Sequence, residues 1–407
     1  MRRKPLFPPP EDPTTKRPKR NKGRQEFTVQ TINGRVRLRR RRWHSPVEGT
    51  TVPLDPWIDV TEASISLGVR EMACRLNGDA KNFDKSAANL KRAAQVSLSG
   101  ETLRQLVEQE GKRVLRLEQS GSLPVVWSAT DCQTESGAMR VYFGSDGVMV
   151  PTVTDCEKQS RRRNIKEKRR ARAKKSRPLP PPKTGADQKY KEFKIVGYYD
   201  QDQEHRLVCG TRGNHQAAGR MMRRQANRIQ LDRADEKVGL VDGAKWIRNQ
   251  VARQNLPLDA LGLDFYHLSE HVHQARRDIY GEEDEAGKQW AGELLHTFKH
   301  EGFDKTWEKL VAWRTEQRGS RRRRVADQLM AYVAERRDMI RYPEFLEKDW
   351  QIGSGPTEAT CKTLTARLKG SGMRWDPGNA EALMALEALT QSGQWESYWQ
   401  SQIPKGG

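Results

Sequence analysis

KVGLVDGAKWIRNQVARQNLPLDALGLDFYH, residues Lys237–His267, decides the fold. Lys237–Asp242 is a short apolar run that stops at Asp242-Gly243, the pattern of a buried strand. A helix follows at once over Ala244–Val251. Leu258–Leu263 repeats the strand pattern, and Asp264 leads into a helix that continues to about Tyr280. Strand–helix–strand–helix is the order of a sheet flanked by helices.

Upstream, Ala138–Val153 (AMRVYFGSDGVMVPTV) reads as two strands joined around Ser145-Asp146-Gly147. Tyr190–Tyr199 and Arg206–Cys209 form a third strand region, and Asn214–Gln230 a basic helix with Met221, Met222 and Ile229 on its core side. Hairpin pairing followed by crossovers predicts an α/β fold with a mixed sheet. Asp146 then sits at a strand end beside a glycine, where aspartate is also a common turn former.

The chain has 407 residues and a formal charge of +21, and the location of that charge is informative. Residues 1–42 carry fifteen Lys or Arg against three acids, and residues 158–183 carry thirteen against one, so the rest is slightly acidic. Basic arms of this kind suit nucleic acid, because each phosphate contact releases counterions. No apolar run of 18 residues and no signal-peptide core accompany them. The expectation is therefore a cytoplasmic, nucleoid-associated protein with no membrane partner. Cys74, Cys132, Cys156, Cys209 and Cys361 form no C-x-x-C pair, which gives no sequence support for a structural zinc site.

Taken in order, residues 1–26 read as a disordered basic arm and 27–52 as a basic β-hairpin turning at Asn33-Gly34. Its run Arg39, Arg40, Arg41 and Arg42 is a candidate DNA contact. Residues 53–130 read as helical, with segments Ile65–Leu76, Asp84–Gln95 and Gly100–Glu110 in a helix-turn-helix-like arrangement. Arg104 and Lys112 are placed on its outside. A plain helical bundle fits the same pattern. The core is expected over 136–267 with a tethered basic insertion at 156–186, then a helical region over 268–350 containing Arg321–Arg324. Residues 351–400 complete the chain, with a tail helix over Asn379–Leu389.

Gly353–Trp375 opens on a glycine turn with Pro356 at the start of a helix. Glu358 follows, with Lys362 one turn on. The local account of Glu358 is a capping box, with Gly355 as the cap. The alternative joins it to Asp146 and Asp242. Three carboxylates at the ends of core elements can hold two divalent ions about 3.5–4 Å apart for phosphodiester chemistry. Mg²⁺, or Mn²⁺, is the ion such oxygen donors suit. Asp264 competes with Asp242 as a strand-end acid, and His267 three residues later could pair with it, ligate a metal or cap the helix.

These pieces together resemble the ISKra-type insertion-sequence transposases of bacteria, within the DDE class that has an RNase H-like core. The resemblance rests on GSDGVMVP at Gly144–Pro151, LVDGAKWIRN at Leu240–Asn249, LDFYH at Leu263–His267 and IGSGPTEATCKTLTARLKGSGMRW at Ile352–Trp375. With PLD at Pro53–Asp55 and VSLSGETLRQLVEQEG at Val96–Gly111, it spans roughly residues 27–400. It implies Asp146, Asp242 and Glu358 as catalytic metal ligands for two Mg²⁺ or Mn²⁺ ions. It also implies Asp264 and His267 as an auxiliary D-x-x-H element, followed by a helical insertion before the final catalytic helix. The implied reaction is hydrolysis at transposon ends, then transfer of the 3′-hydroxyls into target DNA. Implied partners are double-stranded terminal inverted repeats, target DNA and a second copy of the chain. Lys362, Arg367, Lys369, Arg374 and Trp375 are candidate DNA contacts.

Relatives often carry a cysteine-pair knuckle between the hairpin and the PLD stretch. Here Arg42–Asp55 reads RWHSPVEGTTVPLD without a cysteine, so no zinc-bound knuckle is expected there. Two other functions share these features. A nuclease or resolvase with the same core would cleave but not join pre-cut ends, and a non-catalytic descendant would bind DNA and ignore Mg²⁺.

Overall fold

The computed structural model describes residues 8–55, 64–172 and 177–403. The chain divides into two compact units. One contains residues up to 124 with 370–372 and the tail from 385, and the other contains 125–369 and 373–384.

In the first unit, β1 (Arg20–Thr31) and β2 (Gly34–Ser45) pair antiparallel, and β3 (Gly49–Thr51) adds to β2. Thr31 faces Gly34, so the two-residue turn is Ile32-Asn33, one residue earlier than Asn33-Gly34. The strand begins at Arg20, inside the stretch expected to be a disordered arm, and Glu11 bridges Pro18 ahead of it. The first residues of that arm, 1–7, and residues 56–63 of the expected helical region lie outside the described residues. Helices α1 (Leu67–Gly78), α2 (Phe83–Ala94) and α3 (Gly100–Ser120) follow. Asn82 and Ser99 cap α2 and α3 by accepting from Lys85 N and Thr102 N. The third helix runs ten residues past its expected end. Val107, Glu110 and Val114 continue its buried stripe, and Gly121 in the left-handed region stops it. Buried Arg70 pairs with Glu110 at 3.4 Å, and Glu110 also accepts from Tyr398 of the tail.

The second unit is built on a five-stranded mixed sheet flanked by helices, in the order β6-β5-β4-β7-β8. Its strands are β4 (Arg140–Pro151), β5 (Tyr190–Tyr199), β6 (Arg206–Thr211), β7 (Glu236–Val241) and β8 (Ala260–Leu263). The first three pair antiparallel, whereas β4, β7 and β8 run parallel. The expected hairpin over 138–153 does not form. Instead, β4 passes straight through Ser145-Asp146-Gly147, because β5 supplies a partner for every residue from Tyr142 to Pro151. Continuous pairing and burial of Tyr142, Phe143, Val148 and Val150 outweigh the local turn tendency of Asp-Gly.

The basic run is also different from the tethered arm expected of it. Its first half is the helix α4 (Asp155–Ala171), capped by a reciprocal Thr154–Glu157 box. Arg162 and Arg169 donate to the carbonyls of Pro180 and Arg177 in the returning segment. Residues 173–176 of that run lie outside the described residues.

One face of the sheet joins Val141, Phe143, Val196, Tyr198, Val241 and Leu263 to α5 (His215–Arg228), α6 (Lys245–Arg253) and a helical region. That region comprises α7 (Phe265–Tyr280), α8 (Glu285–His300), α9 (Phe303–Glu316), α10 (Ser320–Glu335) and α11 (Tyr342–Glu347). The other face gathers Tyr142, Tyr199, Val238, Leu240, Phe345 and Trp350. Helix α12 (Gly355–Ala366) lies over it. Along the chain come α13 (Pro377–Gln391), which starts in this unit and ends in the first, and α14 (Trp395–Ser401), which belongs to the first. The approach of α12 depends on Gly144: a Cβ there would stand 1.8 Å from Thr357 Oγ1. Gly144→Ala is expected to lower stability by about 1–3 kcal/mol through overpacking. A denaturant midpoint equal to that of the wild type would mean that α12 does not seat on β4.

Candidate active site

The register of the parallel pair brings the first two acids together. Phe143 stands opposite Gly239, and three further residues on each strand reach Asp146 and Asp242. Tyr142 and Val238 are paired on the face covered by α12, so side-chain alternation puts Asp146 and Asp242 on that face too. The Asp146 carboxyl is pushed above the usual carboxylate range by burial and by the neighbouring Asp242 and Glu192 charges. A bond accepted from Gly147 N and the nearby His267 imidazole oppose that shift.

Asp242 ends its strand in a side-chain turn, with Oδ1 accepting from Ala244 N at 2.8 Å. The next residue, Gly243, has φ +78°, and a Cβ there would meet Arg336 Nε at 2.6 Å and Leu263 Cδ1 at 2.8 Å. Tyr332, one turn before Arg336 on α10, stacks on His271 of α7 with ring centroids 3.7 Å apart. The helical region thus reaches the Asp242 turn.

Glu358 arrives on α12. Ser354, not Gly355, is the cap residue, and its side chain makes no capping bond, so the expected capping box is absent. The Ser354 hydroxyl and N–H both donate to Asp264 Oδ2, the latter at 2.6 Å. Glu358 is exposed and pairs with Lys362 at 2.6 Å. An exposed i,i+4 pair stabilises by only about 0.3–0.5 kcal/mol, so little holds the carboxylate there. Buried Cys361, one turn on, lies against Asp146; burial first, and then the Asp146 charge, push its thiol up. Glu358 is therefore an exposed residue one turn before the α12 residue that meets Asp146. The ligand oxygens of Asp146, Asp242 and Glu358 do not all approach within 4.8 Å of one another.

Asp264 plays a different part from the other acids. It is buried, Oδ1 accepts from Tyr266 N at 2.6 Å and His267 N at 3.1 Å, and Oδ2 is held by Ser354. Both oxygens are engaged in capping α7 and anchoring α12. His267 is half-exposed and contacts Glu270 at 3.5 Å.

Several expected DNA contacts are drawn inward. Trp375, expected as a DNA contact, is buried, bridges Thr152 and donates to the Leu368 carbonyl, so its ring packs in the core. Arg374 binds Glu157 and the Thr152 carbonyl. Arg367 lies over the Trp375 ring at 5.2 Å, and burial lowers its pKa to about 10. Lys369 is exposed. On β2, Arg39 is exposed and paired with Glu26, Arg40 is held by Asp55 at 2.5 Å, and Arg41 and Arg42 are half-buried. Arg104 is tied to Glu101 and Glu108. Arg321–Arg324, in the first turns of α10, are exposed, and Arg323 donates to the Gln317 carbonyl.

Sequence reasoning missed Glu192, whose charge acts on Asp146, and Cys361, whose thiol lies against it. Glu192 belongs to a β5 run without a motif, and only pairing with β4 brings it to the site. It lies against Gly147 and pairs with Lys194 at 2.9 Å.

The raised Asp146 pKa has a consequence for stability. Below its unfolded pKa the carboxyl is neutral in both states; as pH rises through the folded pKa, ionisation destabilises the fold relative to that protonated form. In metal-free solution, Asp146→Asn should therefore melt higher than wild type at neutral pH, with the gap closing in acid. A variant that melts no higher at neutral pH would contradict the strained charge. Among the described residues no helix is long and apolar enough to cross a membrane. No protein-family model and no curated protein matches the chain.

Proposed function

We propose that this chain is a metal-dependent DNA transposase with an RNase H-like core. It would cut phosphodiesters at element ends and transfer the 3′-hydroxyls into target DNA. The observation that carries the proposal is that Asp146 of β4 neighbours Asp242, which follows the parallel strand β7, while the helix that bears Glu358 packs on β4.

The donors fit a hard divalent ion. Two neighbouring carboxylates, one of them opposed by the other's charge, form an excess of negative potential that a cation relieves. Asp146 and Asp242 would hold it, with Glu358 completing the set on leaving Lys362. Bound Mg²⁺ or Mn²⁺ would lower the pKa of the nucleophile and offset charge on the leaving oxygen. The chain's own contribution is alignment: β4 and β7 fix the aspartates, while Asp264 and Gly144 set the seat of α12. His267 places an imidazole beside Asp146.

Helix α4 supports a polyanionic substrate. It contains no buried residue, and Arg161, Arg163, Lys166, Lys168 and Arg170 are exposed on it. A helix with no apolar face gains little from packing and suits a phosphate backbone. It starts four residues after the strand that carries Asp146, joined to it by Thr152–Thr154.

The test is a strand-transfer assay on short duplexes of the element's terminal repeats, with Mg²⁺ or Mn²⁺, comparing wild type with Asp242→Asn. Metal-dependent joining by wild type alone is expected. Equal product from both proteins would defeat the assignment, and cleavage without joining of pre-cut ends would reassign the chain to a nuclease or resolvase.

A further inference from the structure

A second constellation lies at the other end of the same sheet. Cys132 follows the short helical turn Ala129–Asp131, Asp200 follows β5, and His205 precedes β6. Their ligand atoms all lie within 4.8 Å of one another, and among the described residues this is the one such group. Asp200 is five residues beyond Ile195, the partner of Asp146, or roughly 16 Å along the strands. This group is therefore separate from the carboxylate site.

From this convergence we infer a zinc site, with Cys132 Sγ, Asp200 and His205 as its three protein ligands. The donor set decides the metal: a thiolate and an imidazole with one carboxylate suit Zn²⁺ and disfavour Mg²⁺. Tetrahedral zinc ligands stand about 3.3–3.8 Å apart, so side-chain adjustments of about an ångström close the site. Burial fits as well. Cys132 and Asp200 are 1% and 8% exposed, whereas the His205 side chain is 30% exposed and leaves a side open for water as the fourth ligand.

Existing contacts already orient the donors. Asp200 accepts from His205 N at 3.2 Å, and its second oxygen lies 2.8 Å from His205 Nδ1. The Trp127 ring packs 5.8 Å from the imidazole and donates from its indole N–H to the Arg206 carbonyl. The Cys132 carbonyl accepts from Arg140 N, tying the turn to the start of β4. Zinc would join the turn before β4 to the β5–β6 connection, three segments distant in sequence. Such a site binds its metal with loss of the thiol proton.

The experiment titrates metal-free full-length protein with Co²⁺, followed by Zn²⁺. Expected are a thiolate-to-cobalt charge-transfer band and tetrahedral d–d bands that saturate at one equivalent and vanish when Zn²⁺ is added. Cys156→Ser, which removes the exposed thiol, and Asp146→Asn, in the carboxylate site, should both keep the bands. Cys132→Ser should lose the charge-transfer band, and His205→Ala should weaken cobalt binding at least tenfold. No band in the wild type overturns the site and leaves Asp200–His205 as a hydrogen-bonded turn beside a packed thiol. A band that survives in folded Cys132→Ser, as judged by circular dichroism, also overturns it. Should Cys132→Ser fail to fold, unchanged cobalt affinity in His205→Ala is the overturning result.

Discussion

Glu358→Gln is expected to lower metal-dependent strand transfer roughly 10³-fold while leaving the fold and DNA affinity unchanged. The size follows from the proposed role: a metal ligand would contribute several kcal/mol of charge stabilisation in the transition state, and each 1.36 kcal/mol or so is about tenfold in rate. The clean separation from folding follows from the environment. Glu358 is largely exposed, and its partner in the fold is Lys362 at 2.6 Å. Removing so weak a pair costs about 0.3–0.5 kcal/mol at most, which thermal melts barely register. A single-turnover assay with pre-cut ends, run beside a melt and a DNA-binding titration, checks all three. Retained transfer would reduce Glu358 to a surface residue paired with Lys362.

Asp264→Asn has the opposite signature. Here stability falls by about 3 kcal/mol and activity falls with it. The native carboxylate accepts from four donors: the N–H groups of Tyr266, His267 and Ser354, and the Ser354 hydroxyl. Hydrogen bonds to a charged group contribute about 1.5–3 kcal/mol each, and a buried donor left facing an amide NH₂ loses its partner outright. One oxygen of Asn can cap α7, but its nitrogen cannot also serve Ser354 N–H. The start of α12 then loosens, and Glu358 with it. Chemical denaturation, with and without Mg²⁺, distinguishes this from a ligand role. A ligand would lose metal response at unchanged metal-free stability, the reverse of the expected result.

Asp264 also shows where local reading stops. The sequence makes it a strand-end acid equivalent to Asp242, and nothing in LDFYH says which of the two is taken up in capping and anchoring bonds. The choice comes from residues 348–354, which are pinned to the sheet at successive points. Arg140 donates to the carbonyls of Lys348 and Asp349, the Tyr142 hydroxyl accepts from Gln351 N, and Phe265 N donates to the Ile352 carbonyl. Asp264 then takes Ser354, and the helix bearing Glu358 begins. These contacts span about ninety to two hundred residues in sequence. No window of sequence contains both partners.

Elements whose signals are local could be read directly. The apolar runs at Lys237–Asp242 and Leu258–Leu263 hold the strands β7 and β8 with helices after them, because hydrophobic period and terminal residues act within a few residues. Signals that depend on a distant partner could not. Asp146-Gly147 carries a good turn signature, yet β5 pairs across it and makes it the middle of a strand. Trp375 and Arg374 sit in a basic, glycine-flanked stretch that looks exposed, yet Thr152, Glu157 and Leu368 draw both residues inward.

By itself, then, the sequence determined the succession of strands and helices from Lys237 to Tyr280, the two concentrations of positive charge and the acids worth testing. Only the tertiary structure decided that Asp146 and Asp242 become neighbours, that Asp264 anchors α12, and that Cys132 meets Asp200 and His205. The physical reason is range. Periodicity and capping are settled by neighbours along the chain, whereas register, burial and convergence of donors are settled by strands that meet only once the sheet has formed.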